Sequence, residues 1–245
     1  MEIEKNGQWY TEVSAWAKDG VEKAIDLGVA YWPSRGDAKT SISRCYFAED
    51  AAAVVALAYG SDLAAYEGFR VLQLMRGTGD NQKYAYETLD ILRGRGNGDM
   101  DFFGDITRQE AAVMLARAYR IYCDEIHDDM EPLAYADKND IADWAKEDVA
   151  LITHLGVMNG IGENKLDPKG VYTLEQCFVT LVRLYEKTAQ GKTPVGENPF
   201  PLTEREKVIG CTWRGVKVID YVENDNIVAI TLAGDNQSLR ASNYY

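Results

Sequence analysis

The residues best placed to do chemistry lie where polar side chains open apolar helices. Thr107-Arg108-Gln109-Glu110 is an S/T-x-x-E run directly ahead of AAVMLARAYRIY, the sequence signature of a capped helix start. Ser43-Arg44 stands in the same place ahead of an alanine-rich stretch, and Thr173-Leu174-Glu175-Gln176 opens a third helix. A capping Ser or Thr sets the next residue at the first helical position. There, unsatisfied amides and the positive end of the helix dipole favour an anion. Arg44 and Arg108 occupy that position, and a guanidinium adds a planar fork of donors matched to a carboxylate. Trp16 and Trp144 are candidate flat platforms for a ligand, and Gly28 and Gly156 would let loop backbone come close to one. Each also has a purely architectural reading. The tryptophans sit at helical spacing suited to a core. The glycines suit the residue after a helix, the T-x-x-E and T-x-x-Q runs suit capping boxes without a ligand, and Arg44 suits a solvated surface charge.

Other chemistries find little material. Asp99, Asp101, Gly104 and Glu110 fall at positions 1, 3, 6 and 12 of a calcium loop, but Phe103 stands where an oxygen ligand is needed and Glu110 already serves the capping box, so no metal site is expected. Cys45, Cys123, Cys177 and Cys211 form no C-x-x-C pair and read as small buried hydrophobes. His127 and His154 have no evident partners, and no cofactor-binding pattern is present.

The elements that must position these residues repeat along the chain. WAKDGVEKAIDLGV (16–29) and WAKEDVALITHLGV (144–157) are offset by 128 residues and agree at seven of fourteen positions. Both have helical apolar spacing and end in glycine. Trp16 precedes Ser43 by 27 residues and Trp144 precedes Thr173 by 29, so the unit is helix, polar loop, helix in about 50 residues. The spacing predicts units over about 9–60, 84–124 and 134–188. The middle unit has a weaker first half, with Tyr84 at the tryptophan position, and an extra amphipathic helix is expected over 61–77. Residues 191–204 carry a proline-rich linker, and alternating β-branched residues on either side of 223–226 predict a hairpin within a small β element over 205–245. The expected fold is mainly α: three helix-loop-helix repeats over 1–190 folding as one unit, plus that β element.

These residues carry a family resemblance. WAK…VEKAIDLGV followed by SISR, ITRQEAAVMLARA, and DKNDIADWAKEDVALITHLGVMNGIGENKLDPKGVYTLEQ resemble three S-layer homology repeats, over about residues 9–188. The resemblance implies a pseudo-threefold helical domain on bacterial cell surfaces. It implies non-covalent binding of secondary cell-wall polysaccharide, often through a pyruvylated amino sugar. The family's I-T-R-A-E-like element falls on Ile42-Ser43-Arg44, on Ile106-Thr107-Arg108-Gln109-Glu110 and on Tyr172-Thr173-Leu174-Glu175-Gln176. Leu174 stands where the family has Arg, and Tyr46 where it has an acid. The ligand-binding residues so implied are Arg44, Arg108, Trp16, Trp144, Gly28, Gly156, Thr107 and Ser43.

The composition narrows the partners. With 26 basic and 39 acidic residues the net charge is −13, which offers no general attraction to nucleic acid or anionic lipid. No apolar run reaches the length needed to span a bilayer, so no membrane insertion is expected. The opening Met1-Glu2-Ile3-Glu4-Lys5 is not a leader, which leaves a cytosolic chain or a processed one open; the resemblance favours a cell-wall location. The expected role is a surface anchor of Gram-positive type. The alternative is an assembly module without ligand that self-associates or captures a protein. The 57 residues after the repeats are few for a catalytic domain, so no enzyme is expected.

Overall fold

The computed structural model describes residues 1–30, 35–59, 89–95, 99–123 and 130–189, together with the backbone of strand segments between 212 and 242. The helix expected over 61–77, Tyr84, the linker over 191–204, His127 and Cys211 lie outside the described residues.

The chain opens with an unanticipated hairpin. β1 (Ile3–Lys5) pairs antiparallel with β2 (Gln8–Thr11). The turn is Asn6-Gly7, with φ of 51° and 76°, the two positive angles that a tight two-residue hairpin requires. β2 then pairs in parallel with β3 (Arg35–Asp37), Trp9 against Arg35 and Tyr10 against Gly36. α1 (Lys18–Asp26) lies in the crossover between them.

α2 (Arg44–Ala58), α3 (Arg108–Tyr122) and α5 (Leu174–Ala189) pack on one another and form the centre. α2 is buried on nearly all sides, as its run of Ala and Val allows. Short α1 lies on α5, and α4 (Lys146–His154), entered through a 3-10 turn over Asp143–Ala145, lies on α3. Among the described residues, the two short first helices thus rest on long helices from other parts of the chain, α1 on α5 and α4 on α3. The core joins Phe47, Leu115, Phe178, Leu181 and Ile152 in one continuous cluster.

The three segments ahead of the central helices meet edge to edge. The Ile42 amide donates to the Tyr172 carbonyl (3.2 Å), the Tyr172 amide to Ile106 (2.9 Å) and the Ile106 amide to Ile42 (3.3 Å), a closed ring of three bonds. The chain therefore uses each repeat's loop to satisfy the backbone of another.

At the far end β4 (Thr212–Trp213), β5 (Val216–Asn224), β6 (Ile227–Leu232) and β7 (Ser238–Ser242) form an antiparallel sheet in that order. Asn224 pairs with Ile227 across the expected hairpin, which two further strands extend. A lone hairpin is marginal in water, and the added strands supply the missing pairing.

Candidate functional site

The helix starts do not present open amides. The first two amides of α2, Arg44 and Cys45, donate to the Gly104 and Phe102 carbonyls. Those of α3, Arg108 and Gln109, donate to Gly170 and Pro168. Those of α5, Leu174 and Glu175, donate to Thr40 and Ala38, all six bonds being 2.9–3.0 Å. The donors that an isolated helix would offer an anion are used here to dock the next loop. At α3 the capping box is formed as expected: Thr107 N–H donates to Glu110 Oε2 (2.9 Å) and Glu110 N–H to Thr107 Oγ1 (3.4 Å).

Both arginines of the helix starts point into the protein. Arg108 is 4% exposed; its Nε donates to the Leu166 carbonyl and its Nη2 to Asn159, each at 2.7 Å, and its guanidinium lies 5.8 Å from the centre of the Tyr172 ring. Arg44 is 3% exposed and bonds the Arg93 carbonyl (2.7 Å) and Glu110 Oε1 (2.6 Å). Burial lowers the Arg44 pKa from its ordinary value, and the Glu110 charge works against that fall. Glu110 also takes Arg95 Nε at 2.9 Å. Burial alone would raise its carboxyl, but the bonds from Arg95 and Thr107 and the charge of Arg44 hold it below the usual range. The spacing that suggested a carboxylate fork thus serves to clasp the following loop. Sequence does not show this, because the acceptors lie about 50 residues away.

The two tryptophans are displayed on the surface. Trp16 is 57% exposed and Trp144 60%. Their surroundings match: the run of buried and exposed positions over 13–22 is the same as over 141–150. One contact fixes each approach. Glu175, buried at the second position of α5, accepts the Ser14 amide (2.8 Å) and hydroxyl (3.0 Å). Gln109, at the second position of α3, accepts the Ala142 amide (3.0 Å). Lys39 Nζ stands 2.5 Å from Glu175 and completes the cluster beside Trp16.

Gly28 and Gly156 have φ of 74° and 70°, and nothing lies within 4 Å of where a Cβ would project. Val29 N–H reaches back to the Ala24 carbonyl and Val157 N–H to Ile152, the bonds of a helix-ending turn. Asp90, with φ of 54°, holds the matching place in the middle unit. In the proposed calcium loop, Asp101 pairs with Arg95, and Glu110 with Arg44 and Arg95, so both carboxylates face guanidinium groups. Cys45, Cys123 and Cys177 are buried and outside any disulfide, and His154 lies on the surface of α4.

Part of this chain has counterparts among known sequences. Residues 134–176 match the S-layer homology domain. Over 98 residues, 40% of this chain and 9% of the relative, the chain is 32% identical to the exoglucanase XynX of Acetivibrio thermocellus. Over 83 residues, 34% of this chain and 4% of the relative, it is 31% identical to an amylopullulanase of Thermoanaerobacterium thermosulfurigenes. The matched stretch spans less than a tenth of either relative.

The S-layer homology segment contains Trp144, Gly156 and the loop that Arg108 clasps. Sequence reasoning missed Glu175, Gln109, Asp90 and Tyr10. Two of these had a signal. Asn6-Gly7 between alternating apolar residues announces the hairpin that carries Tyr10, and Leu89-Asp90-Ile91 matches Leu155-Gly156-Val157 once Asp is allowed a left-handed backbone. Gln109 and Glu175 had none, since their partners belong to another repeat. Among the described residues no helix is long and apolar enough to cross a membrane.

Proposed function

We propose that this chain is a non-covalent anchor to the bacterial cell wall, binding secondary wall polysaccharide through three repeats arranged about a pseudo-threefold axis. The observation that carries the reading is the pair of exposed tryptophans. One lies within the S-layer homology segment, and both are held in the same setting by the preceding repeat. Two indoles held outward in the same setting offer flat apolar faces with an N–H at the edge, which suits the face and hydroxyls of a sugar ring. The ring of bonds through Ile42, Ile106 and Tyr172 supports the threefold arrangement.

In this proposal Trp16 and Trp144 touch the glycan, with Gly28 and Gly156 shaping the loops beside them and Ser43 and Thr107 standing at the N-caps of α2 and α3. Arg44 and Arg108 act as positioning residues that hold the loops. The acid of a pyruvylated amino sugar meets Lys39 or Lys169, which occupy matching loop positions and are exposed. Wall attachment then implies a location outside the cell and a binding role rather than catalysis. The relatives matched bear the names exoglucanase and amylopullulanase, which is consistent with a module that holds a protein near glycan.

The test is co-sedimentation with purified Gram-positive walls, native or stripped of secondary polysaccharide. Retention on native walls only, lost in a Trp16→Ala, Trp144→Ala double variant that melts like the parent, is the expected result. Equal retention on stripped walls, or none on either, overturns the proposal. In the second case concentration-dependent mass would point to self-association.

A further inference from the structure

We infer that the groove between the first two repeats is a distinct subsite for a neutral sugar ring. The inference rests on the polysaccharide-binding reading and goes beyond it in naming what this groove accepts. A cavity of about 290 Å³ opens there, bounded by Ser41, Ser43, Tyr46, Phe103, Asp105 and Leu174. That lies at the lower end of ligand-pocket sizes and suits a single ring.

The cavity has a local cause. At the third position of α3, Glu110 folds back to accept the amide of the capping Thr107, and at α5 Gln176 does the same for Thr173 at 3.2 Å. At α2 that position is Tyr46, which has no carboxylate or amide to return. Its ring instead meets Phe103 edge-on, centroids 6.3 Å apart and planes at 68°. Phe103 is 68% exposed, a large apolar ring left in water at the rim. At the matching loop position the other two repeats carry Lys39 and Lys169.

The remaining polar groups fit hydroxyls. Ser41 Oγ donates to Asp105 Oδ1 at 2.6 Å, which leaves the second carboxylate oxygen as an acceptor, and Ser43 Oγ sits beside Cys45 Sγ at 3.5 Å. Buried Leu174 gives an apolar floor. The lining thus holds an aromatic wall, hydroxyls and one carboxylate, with no cationic side chain. Such a site grips the apolar face and hydroxyls of an uncharged sugar and repels an acidic one.

The experiment titrates the full chain, labelled for NMR, with N-acetylhexosamine methyl glycosides and with the same glycosides carrying a 4,6-pyruvate ketal. Shifts centred on Ser43, Tyr46 and Phe103 with the neutral sugar are expected, with binding of the ketal weaker at this groove. Phe103→Ala should weaken the neutral sugar about tenfold, and Asp105→Asn should narrow the preference against the ketal. Both residues are exposed, and thermal melts check that the variants stay folded. Absence of shifts at this groove, binding unchanged in Phe103→Ala, or equal or better binding of the ketal there would overturn the subsite. Wall co-sedimentation separates the two claims: retention with no response at this groove removes the subsite alone, and loss of both removes the anchor reading too.

Discussion

Glu110 shows how much one residue can join. It closes the capping box of its own helix and neutralises Arg44 from the first repeat and Arg95 from its own loop. Its carboxyl is held below the ordinary range, so it binds protons less readily folded than unfolded. The stability it contributes is present above the unfolded carboxylate pKa of about 4 and is lost as pH falls through the lower folded value. Glu110→Gln should therefore destabilise the protein at pH 7 and flatten the acid limb of its melting temperature between about pH 5 and pH 3. An unchanged acid limb would show that the charge does not matter. Arg108→Ala removes two charge-assisted bonds and leaves the Leu166 and Asn159 carbonyls without them. The expected cost is about 3 kcal/mol in urea unfolding. Loss of binding in that variant would report on a loop released, so the exposed tryptophans are the cleaner probes of contact.

At the scale of elements, the third repeat lacks the arginine that clasps the next loop. Leu174 is buried in its place, and the loop it faces belongs to the first repeat. There the N-terminal hairpin supplies the missing support. β2 pairs with β3, and the Tyr10 hydroxyl lies within donating distance of both Gln8 Oε1 (3.0 Å) and the Ala30 carbonyl (3.1 Å), while its ring meets Phe178 at 5.2 Å. Burial, with the Asp50 charge adding to it, pushes the Tyr10 hydroxyl far above its ordinary pKa, so it stays a donor at any working pH. Tyr10→Phe removes the one proton that Gln8 and Ala30 share and should cost about 1–3 kcal/mol. Removing residues 1–11 should cost more and make α1 the first helix to lose amide-exchange protection. Uniform protection loss would argue against a local clasp.

At the scale of the whole molecule, the described helical part is closed by exchange between distant segments rather than by any one segment alone. α1 lies on α5 and α4 on α3, the first two amides of α2, α3 and α5 are taken by carbonyls of distant loops, and three edge bonds close a ring. A fragment of residues 1–125 leaves α1 without α5 and α3 without α4. It should show no cooperative thermal transition, and calorimetry that finds a sharp, reversible one would refute this interdependence. On the proposed function, an acidic glycan binds against the field of a net charge of −13. Wall retention through Lys39 and Lys169 should accordingly weaken as sodium chloride rises from about 0.05 to 0.5 M, over which the screening length falls severalfold.

Read alone, the sequence determined what is local. The 128-residue offset, the Thr107 capping box, the helix-ending glycines and the hairpin across Asn224 and Ile227 all follow from spacing and side-chain chemistry within a few residues. Asn6-Gly7 was equally legible. Tertiary structure decided where each surface faced. A tryptophan at helical spacing can point to core or solvent with the same pattern, and here Trp16 and Trp144 point outward because Ala17 and Ala145 take the buried place beside them. An arginine at a helix start can face a ligand or a neighbour, and Arg44 and Arg108 face carbonyls that only the closed ring brings within reach. Long-range acceptors leave no local trace, so the partners of Gln109, Glu175 and Tyr10 belonged to the fold rather than to the pattern.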